Sequence, residues 1–246
     1  LATSLSPHHR YLLEAERALF TAARLKAVIC NSEMVRGEIA RHFETPAEKL
    51  VLIRNAVDGA RFHPGLRAEM GEAVRQQVAI PRDATVFAYV GSGFERKGVG
   101  PFLRALARRR EPAWGIIVGK DKRAAHYGTL SVKLGIAGRV RFVGGISDVR
   151  PFLAAADAFV LPTLYDPFPN AALEAMAAGL PVVTSTKCGA AEVVREGESG
   201  FVRDALDVDG LADCLDRLDP PRPGAWARRR GRRSPPSRPR RWAAST

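Results

Sequence analysis

From Thr85 to about Leu218 the chain alternates short β-branched apolar runs with stretches of helical periodicity, and this alternation constrains the fold more than any other feature. A strand covered on both faces reads as an unbroken apolar run, and a helix returning over it supplies the cover. The repeat therefore predicts an α/β fold, a Rossmann-like parallel sheet with helices on both faces. Strands are expected at residues 86–90, 115–118, 140–143, 158–161, 182–184 and 201–202, each but the last followed by a helical stretch. Pro101 falls where a first helical turn tolerates proline, and Ser147 and Asn170 are good N-cap types just ahead of helical stretches. Amides left free at such helix starts lie near the carboxyl ends of strands, where open α/β sheets bind ligands.

Upstream, residues 27–30 read as a strand, 33–43 as an amphipathic helix and 50–53 as a second strand running into Arg54-Asn55-Ala56-Val57-Asp58. One βαβ unit cannot bury both faces of its sheet, so residues 1–58 are expected to be the terminal part of a further, N-terminal α/β domain that is largely missing. The first residue, Leu1, is expected not to be the natural start. Residues 59–84 read as a linker and 85–220 as the complete domain. Residues 221–246, with nine Arg, five Pro and almost no aliphatic side chain, read as a disordered tail.

That tail also dominates the net charge of +12, leaving only +3 on residues 1–220. An arginine arm could bind nucleic acid, but the body of the protein is only mildly basic, and no nucleic acid partner is expected. Three scattered cysteines (Cys30, Cys188, Cys214) and five histidines show no metal-ligand spacing, so neither a disulfide framework nor a metal is expected, and the setting reads as reducing and cytoplasmic. No apolar run approaches the roughly 20 residues of a membrane-spanning helix.

Two segments carry candidate chemistry. The first, Gly91-Ser92-Gly93-Phe94-Glu95-Arg96-Lys97-Gly98, lies between a strand and a helix. Its glycines allow close backbone approach to a ligand, and Arg96 and Lys97 offer two cations to a diphosphate. It has neither the G-x-G-x-x-G spacing of a dinucleotide site nor a P-loop ending, since Gly98 follows Lys97; a glycine turn with solvated charges is the plain alternative. The second is Tyr165-Asp166-Pro167-Phe168-Pro169-Asn170-Ala171-Ala172-Leu173-Glu174, in which seven residues separate two carboxylates. Carboxylates accept pairs of sugar hydroxyls, and the amides around Asn170, Ala171 and Ala172 would draw a phosphate between them. That combination suits a nucleotide diphosphate sugar. Singly, Asp166 reads equally as a turn residue and Glu174 as a solvated helix position. Asp157, Glu192 and Glu196 read as structural acids, and Asp207-Val208-Asp209 as the acidic start of a helix.

With Ile29-Cys30-Asn31-Ser32, Gly144-Gly145-Ile146-Ser147-Asp148 and Gly179-Leu180-Pro181-Val182 in order around them, these segments resemble the C-terminal domain of the family-four retaining glycosyltransferases of GT-B fold, whose hallmark is E-x7-E. Asp166 stands in the first position of that hallmark, one methylene shorter than the usual Glu. Within the family the resemblance is greatest to lipopolysaccharide core glucosyltransferase I-like enzymes. It implies transfer of a hexose, glucose foremost, from a nucleotide diphosphate sugar such as UDP-glucose to a glycan or lipopolysaccharide-core acceptor with retention, and without metal or other cofactor. It further implies that Arg96 and Lys97 hold the diphosphate, Glu174 the ribose hydroxyls and Asp166 the transferred sugar. The loop with Gly144, Gly145 and Ser147 would line the base, while Gly91, Gly93, Phe168, Asn170, Ala171 and Ala172 complete the donor site. The full-length family suggests peripheral association with the inner face of the membrane, and a chain lacking most of the acceptor domain is expected to bind donor with doubtful activity. A sugar-nucleotide 2-epimerase shares the two-domain architecture but would want an acid/base constellation that the sequence does not offer. A nucleic-acid-binding module built on the arginine tail is the other alternative.

Overall fold

The computed structural model describes residues 6–218; the Arg/Pro-rich tail expected at 221–246 lies outside them. The first unit is small. Helix α1 (Pro7–Thr21) precedes strand β1 (Val28–Cys30), helix α2 (Glu33–Phe43) and strand β2 (Leu50–Leu52), and the two strands pair in parallel with Val28 opposite Leu50. The side chain of Ser32 accepts from Val35 N at 3.1 Å and caps α2, as its residue type favours. Both strands leave apolar side chains outside: Ile29 is 68% exposed and Val51 41%. Helix α1 was not foreseen from the sequence; it buries no residue and touches α2 through the Phe20 and Phe43 rings, 4.6 Å apart.

The large sheet holds β3 (Val86–Val90), β4 (Trp114–Val118), β5 (Val140–Gly144), β6 (Ala158–Leu161), β7 (Val182–Ser185) and β8 (Gly200–Arg203), all parallel, in the order β5-β4-β3-β6-β7-β8. The chain starts at the centre, winds outward to β5, returns to β6 on the other side of β3 and winds outward again. The connecting helices are α4 (Val99–Arg108), α5 (Ala124–Lys133), α6 (Arg150–Ala155) and α7 (Asn170–Ala177), with α8 (Val208–Arg217) after β8. Right-handed crossovers then put α4 and α5, on the run out to β5, on one face and the helices of the return run on the other, and the point of reversal, between β3 and β6, opens a crevice at the carboxyl ends of the strands. Between β7 and β8, where a helical stretch is expected, the connection is only a 3-10 turn, Gly189–Val193, and the helix expected to open at Asp207-Val208-Asp209 follows the last strand as α8. Phe87, Phe102, Leu103, Ile116, Ile117, Phe159 and Leu215 fill the core, each worth about 1.5–3 kcal/mol on burial.

Residues read as a linker are part of this domain. A π-helical turn, Arg67–Gly71, runs into α3 (Glu72–Gln77) and packs against α6 so closely that a Cβ at Gly71 would lie 2.6 Å from Ala154 O. Phe62, Val74 and Ile80 join the core. Arg75 is buried at 5% exposure and donates to Ala155 O, Arg82 O and Ala84 O, with Asp157 as its counter-ion at 3.0 Å. A charged helix looks solvated in a sequence; here three carbonyls and a carboxylate stand in for the solvent.

Two expected caps are different in detail. Asn170 is the first residue of α7, with Pro169 in the cap position and no side-chain cap bond. Ser147 stands three residues ahead of α6, whose cap position is Val149 without a side-chain cap bond, and Asp148 Oδ1 accepts from Arg150 N at 3.1 Å in the turn that leads in. Pro151 in the first turn sets where that helix can begin. Asp207 caps α8 through Gly210 N at 2.9 Å, and Asp209 pairs with Arg108.

Candidate active site

The loop after β3 opens at the reversal point. Gly91 N continues the ladder to Val118 O (2.9 Å), after which Phe94 plugs the loop into the core against Tyr89 and Tyr127. Asp121, in the loop after β4, accepts from Phe94 N at 2.6 Å and so fixes the loop's height. Gly98 closes it with φ 81°, in the left-handed region.

The loop after β6 is stitched to it through the backbone. Arg96 O accepts from Leu164 N (2.8 Å) and from the Thr163 hydroxyl (3.0 Å). This brings the cations of one loop to the carboxylate of the other: Lys97 Nζ lies 3.3 Å and Arg96 Nη1 3.8 Å from Asp166 Oδ2, and Arg96 also donates to Tyr165 O. Asp166 is itself held by its backbone, donating to Lys187 O and accepting from Gly189 N, and is 6% exposed. Lys97 is half-buried and Arg96 open to solvent beside a cavity of about 530 Å³ lined by Gly93, Glu95, Arg96, Asp121, Arg123 and Leu164. Two cations so meet one buried carboxylate at a strand-end crevice, which leaves a net positive charge there.

Helix α7 begins next to this pair. The amides of Asn170 and Ala171 make no hydrogen bond within the described protein, whereas Ala172 N turns back to Pro169 O at 3.2 Å. The Asn170 side chain is taken by Asn55, whose amide nitrogen donates to Asn170 Oδ1 (2.8 Å) and Phe168 O (3.1 Å). Phe168 is buried at 4% exposure against Gly189, so its ring anchors the loop. Glu174, one turn into α7, is half-buried; burial pushes its carboxyl pKa up, and the Arg61 charge partly offsets this. Gly144, Gly145 and Ser147 are exposed, and Gly144 O accepts from Gly119 N at 2.8 Å beside the same strand ends.

The raised pKa of Glu174 has a definite sign. The folded chain holds the proton more tightly than the unfolded one, so stability falls as pH rises from the ordinary carboxylate range through the raised value. Glu174→Gln is expected to melt with the wild type at about pH 3, below the ordinary carboxylate range, and above it at about pH 7. Thermal melts of the two chains at the two pH values check this; a variant less stable at neutral pH would mean that Glu174 gains more from Arg61 than burial costs it.

Asp157, Glu192 and Glu196 are engaged structurally. Asp157 binds Arg67, Arg75 and Val86 N; Glu192 takes Met34 N and the Arg54 guanidinium; Glu196 takes Val202 N and Arg203. The sequence reading missed Asp121 and Asn55. Asp121 lies just past a strand end, the place where ligand-site residues collect, and that position was the available signal.

Residues 71–219, more than half of the chain, match the model of the family described as Glycosyl transferases group 1, and residues 2–61 match that of Glycosyltransferase Family 4. The chain belongs to the group 1 glycosyl transferases. Among its relatives is the lipopolysaccharide core biosynthesis glycosyltransferase LpsE of Rhizobium meliloti, 37% identical over 145 residues, or 58% of this chain and 42% of that one. The lipopolysaccharide glucosyltransferase WaaG of Escherichia coli is 29% identical over 202 residues, covering 80% of this chain and 54% of WaaG. The chain thus spans about half the length of the curated relatives it matches. Its fold is that of the GT-B glycosyltransferases: the WaaG crystal structure superposes with TM-score 0.80 and 28% identity over 91% of this chain and 62% of that one. Anabaena HepE, solved with UDP and glucose, gives 0.74 and 25% over 86% and 58%. In this group 1 glycosyl transferase the Asp166 and Glu174 carboxylates thus flank the start of α7, with Lys97 and Arg96 opposite.

Proposed function

We propose that this chain carries the donor half of a retaining hexosyltransferase that takes glucose, or a closely related hexose, from a UDP-sugar and passes it to a glycan of the lipopolysaccharide-core kind. The observation that carries the reading is the meeting of Lys97 and Arg96 with Asp166 next to the two unengaged amides of α7. A diphosphate placed there finds two cations and a helix start. As the glycosidic bond breaks toward an oxocarbenium-like state, negative charge grows on the departing diphosphate, and Lys97 and Arg96 stabilise it where it develops. Asp166 then holds hydroxyls of the transferred sugar and Glu174 those of the ribose, and the loop bearing Gly144, Gly145 and Ser147 lies at the base end. The names of LpsE and WaaG, and the UDP and glucose in HepE, support donor and acceptor class alike.

In this reading residues 1–58 belong to the acceptor side and the donor unit begins by Phe62, which is already in its core. The acceptor class places the work at the inner face of a membrane, with peripheral contact. No helix among the described residues is long and apolar enough to cross one.

Calorimetric titration of the chain with UDP-glucose, UDP and GDP-mannose tests the reading. Saturable binding of the two uridine ligands is expected, weakened about 10- to 100-fold by Lys97→Ala and by Glu174→Ala, as befits hydrogen bonds to charged groups. Tighter binding of GDP-mannose, or uridine binding that both substitutions leave intact, would overturn it.

A further inference from the structure

The hydroxyl of Tyr89 is a buried side-chain polar atom with no hydrogen-bond partner among the described residues. Tyr89 is wholly buried in β3, edge-on to Phe94 and stacked on Phe102 at a centroid distance of 6.4 Å. Its phenol emerges beneath Gly91. The point a Cβ would take at Gly91 is 3.4 Å from the Tyr89 hydroxyl oxygen, 3.4 Å from Lys97 Nζ and 2.8 Å from Lys97 Cδ. A point in the gap that Gly91 leaves by having no side chain is thus within 3.4 Å of both the hydroxyl and the ammonium. Arg96, Asp121, Asp166 and Tyr127 are the charged and titratable groups around it, and burial pushes the phenol pKa well up, so it stays a neutral hydroxyl.

We propose that Tyr89 is a positioning residue for Lys97, its hydroxyl forming a second seat for the ammonium. In the arrangement seen, Lys97 rests on Asp166 and the hydroxyl goes unpaired, a costly state for a buried polar atom. A diphosphate draws the ammonium off Asp166; turning its last torsions over the gap at Gly91, it donates one N–H to Tyr89 and keeps the others for phosphate. Asp166 is released to accept from the transferred sugar. The unpaired hydroxyl thus tilts the balance toward the ligand-bound position of Lys97. This rests on the donor reading above, and names a residue of the same site that the resemblance does not.

The test measures inorganic pyrophosphate and UDP-glucose binding by calorimetry for the wild-type chain, Tyr89→Phe, Lys97→Met and the double variant, with a thermal melt of each. Tyr89→Phe removes only the unpaired oxygen, so its melting temperature should not drop, yet its pyrophosphate affinity should fall about 5- to 10-fold. In the Lys97→Met background, which keeps the stem but not the ammonium, the same change should have no effect on affinity. Unchanged affinity in Tyr89→Phe, or an equal loss with and without the lysine, would overturn the proposal. Pyrophosphate binding that depends on Tyr89 only when Lys97 is present, in a chain that ignores UDP-glucose, would uphold the second seat and sink the donor reading. UDP-glucose held equally by wild type and Tyr89→Phe would do the reverse.

Discussion

Asp157→Ala is expected to cost about 3–5 kcal/mol of folding stability, the range for removing one partner of a buried ion pair. Asp157 immediately precedes β6, its side chain only 7% exposed. Its Oδ1 takes Arg67 at 2.8 Å, and its Oδ2 takes both Arg75 at 3.0 Å and Val86 N at 2.8 Å. One carboxylate thus ties α3, β3 and β6 together. Alanine would leave the Arg75 guanidinium buried with its charge uncompensated and Val86 N without an acceptor. Asparagine keeps an acceptor and should lose less. Because Asp157 stands at the amino end of β6 and the donor loops at the carboxyl ends, the folded fraction should bind ligand normally. Urea denaturation measures the loss; a cost below about 1 kcal/mol would show that water reaches Arg75 and screens it.

Gly98→Ala should damage both stability and ligand binding. A Cβ there would sit 1.9 Å from the Pro162 carbonyl oxygen, a backbone atom that cannot turn aside. The φ of 81° adds strain for any L side chain. Relief requires the loops after β3 and β6 to part by more than 1 Å, roughly the difference between 1.9 Å and ordinary contact, and their parting would break the bonds from Leu164 N and Thr163 to Arg96 O. Lys97 and Asp166 would part with them. The expected loss is about 2–4 kcal/mol of stability, together with a UDP affinity lowered at least about tenfold. Calorimetry and thermal melting on the same preparation read both. An alanine variant that binds UDP like the wild type would mean that the loops need no such close approach.

The strand centres were legible because periodicity and β-branching act locally. Residues 86–90 and 158–161 were read with the ends they have, and 33–43 likewise. What escaped was set by partners distant in sequence. Nothing within a few residues of Arg75 announces that Asp157 and three carbonyls await it. Helix α1 escaped although Tyr11, Leu12, Ala15, Ala18 and Leu19 recur at helical spacing, and it buries none of them. The two cations and the two acids of the candidate site stood out by type and spacing. Their contact did not, since Lys97 meets Asp166 only when the strand order reverses between β3 and β6. Tyr89 looked like any apolar strand residue, and only the surroundings of its hydroxyl distinguish it.

The amide of Asn55 grips the carbonyl of Phe168 and the side chain of Asn170 at once, while Arg54 holds Glu192 close by. The strand-end that leaves the small sheet is therefore fastened to the very turn whose amides face the crevice. Were the small sheet to tilt, these bonds would carry the movement to that turn, and a ligand that favoured one placement of the turn would by the same coupling favour one tilt.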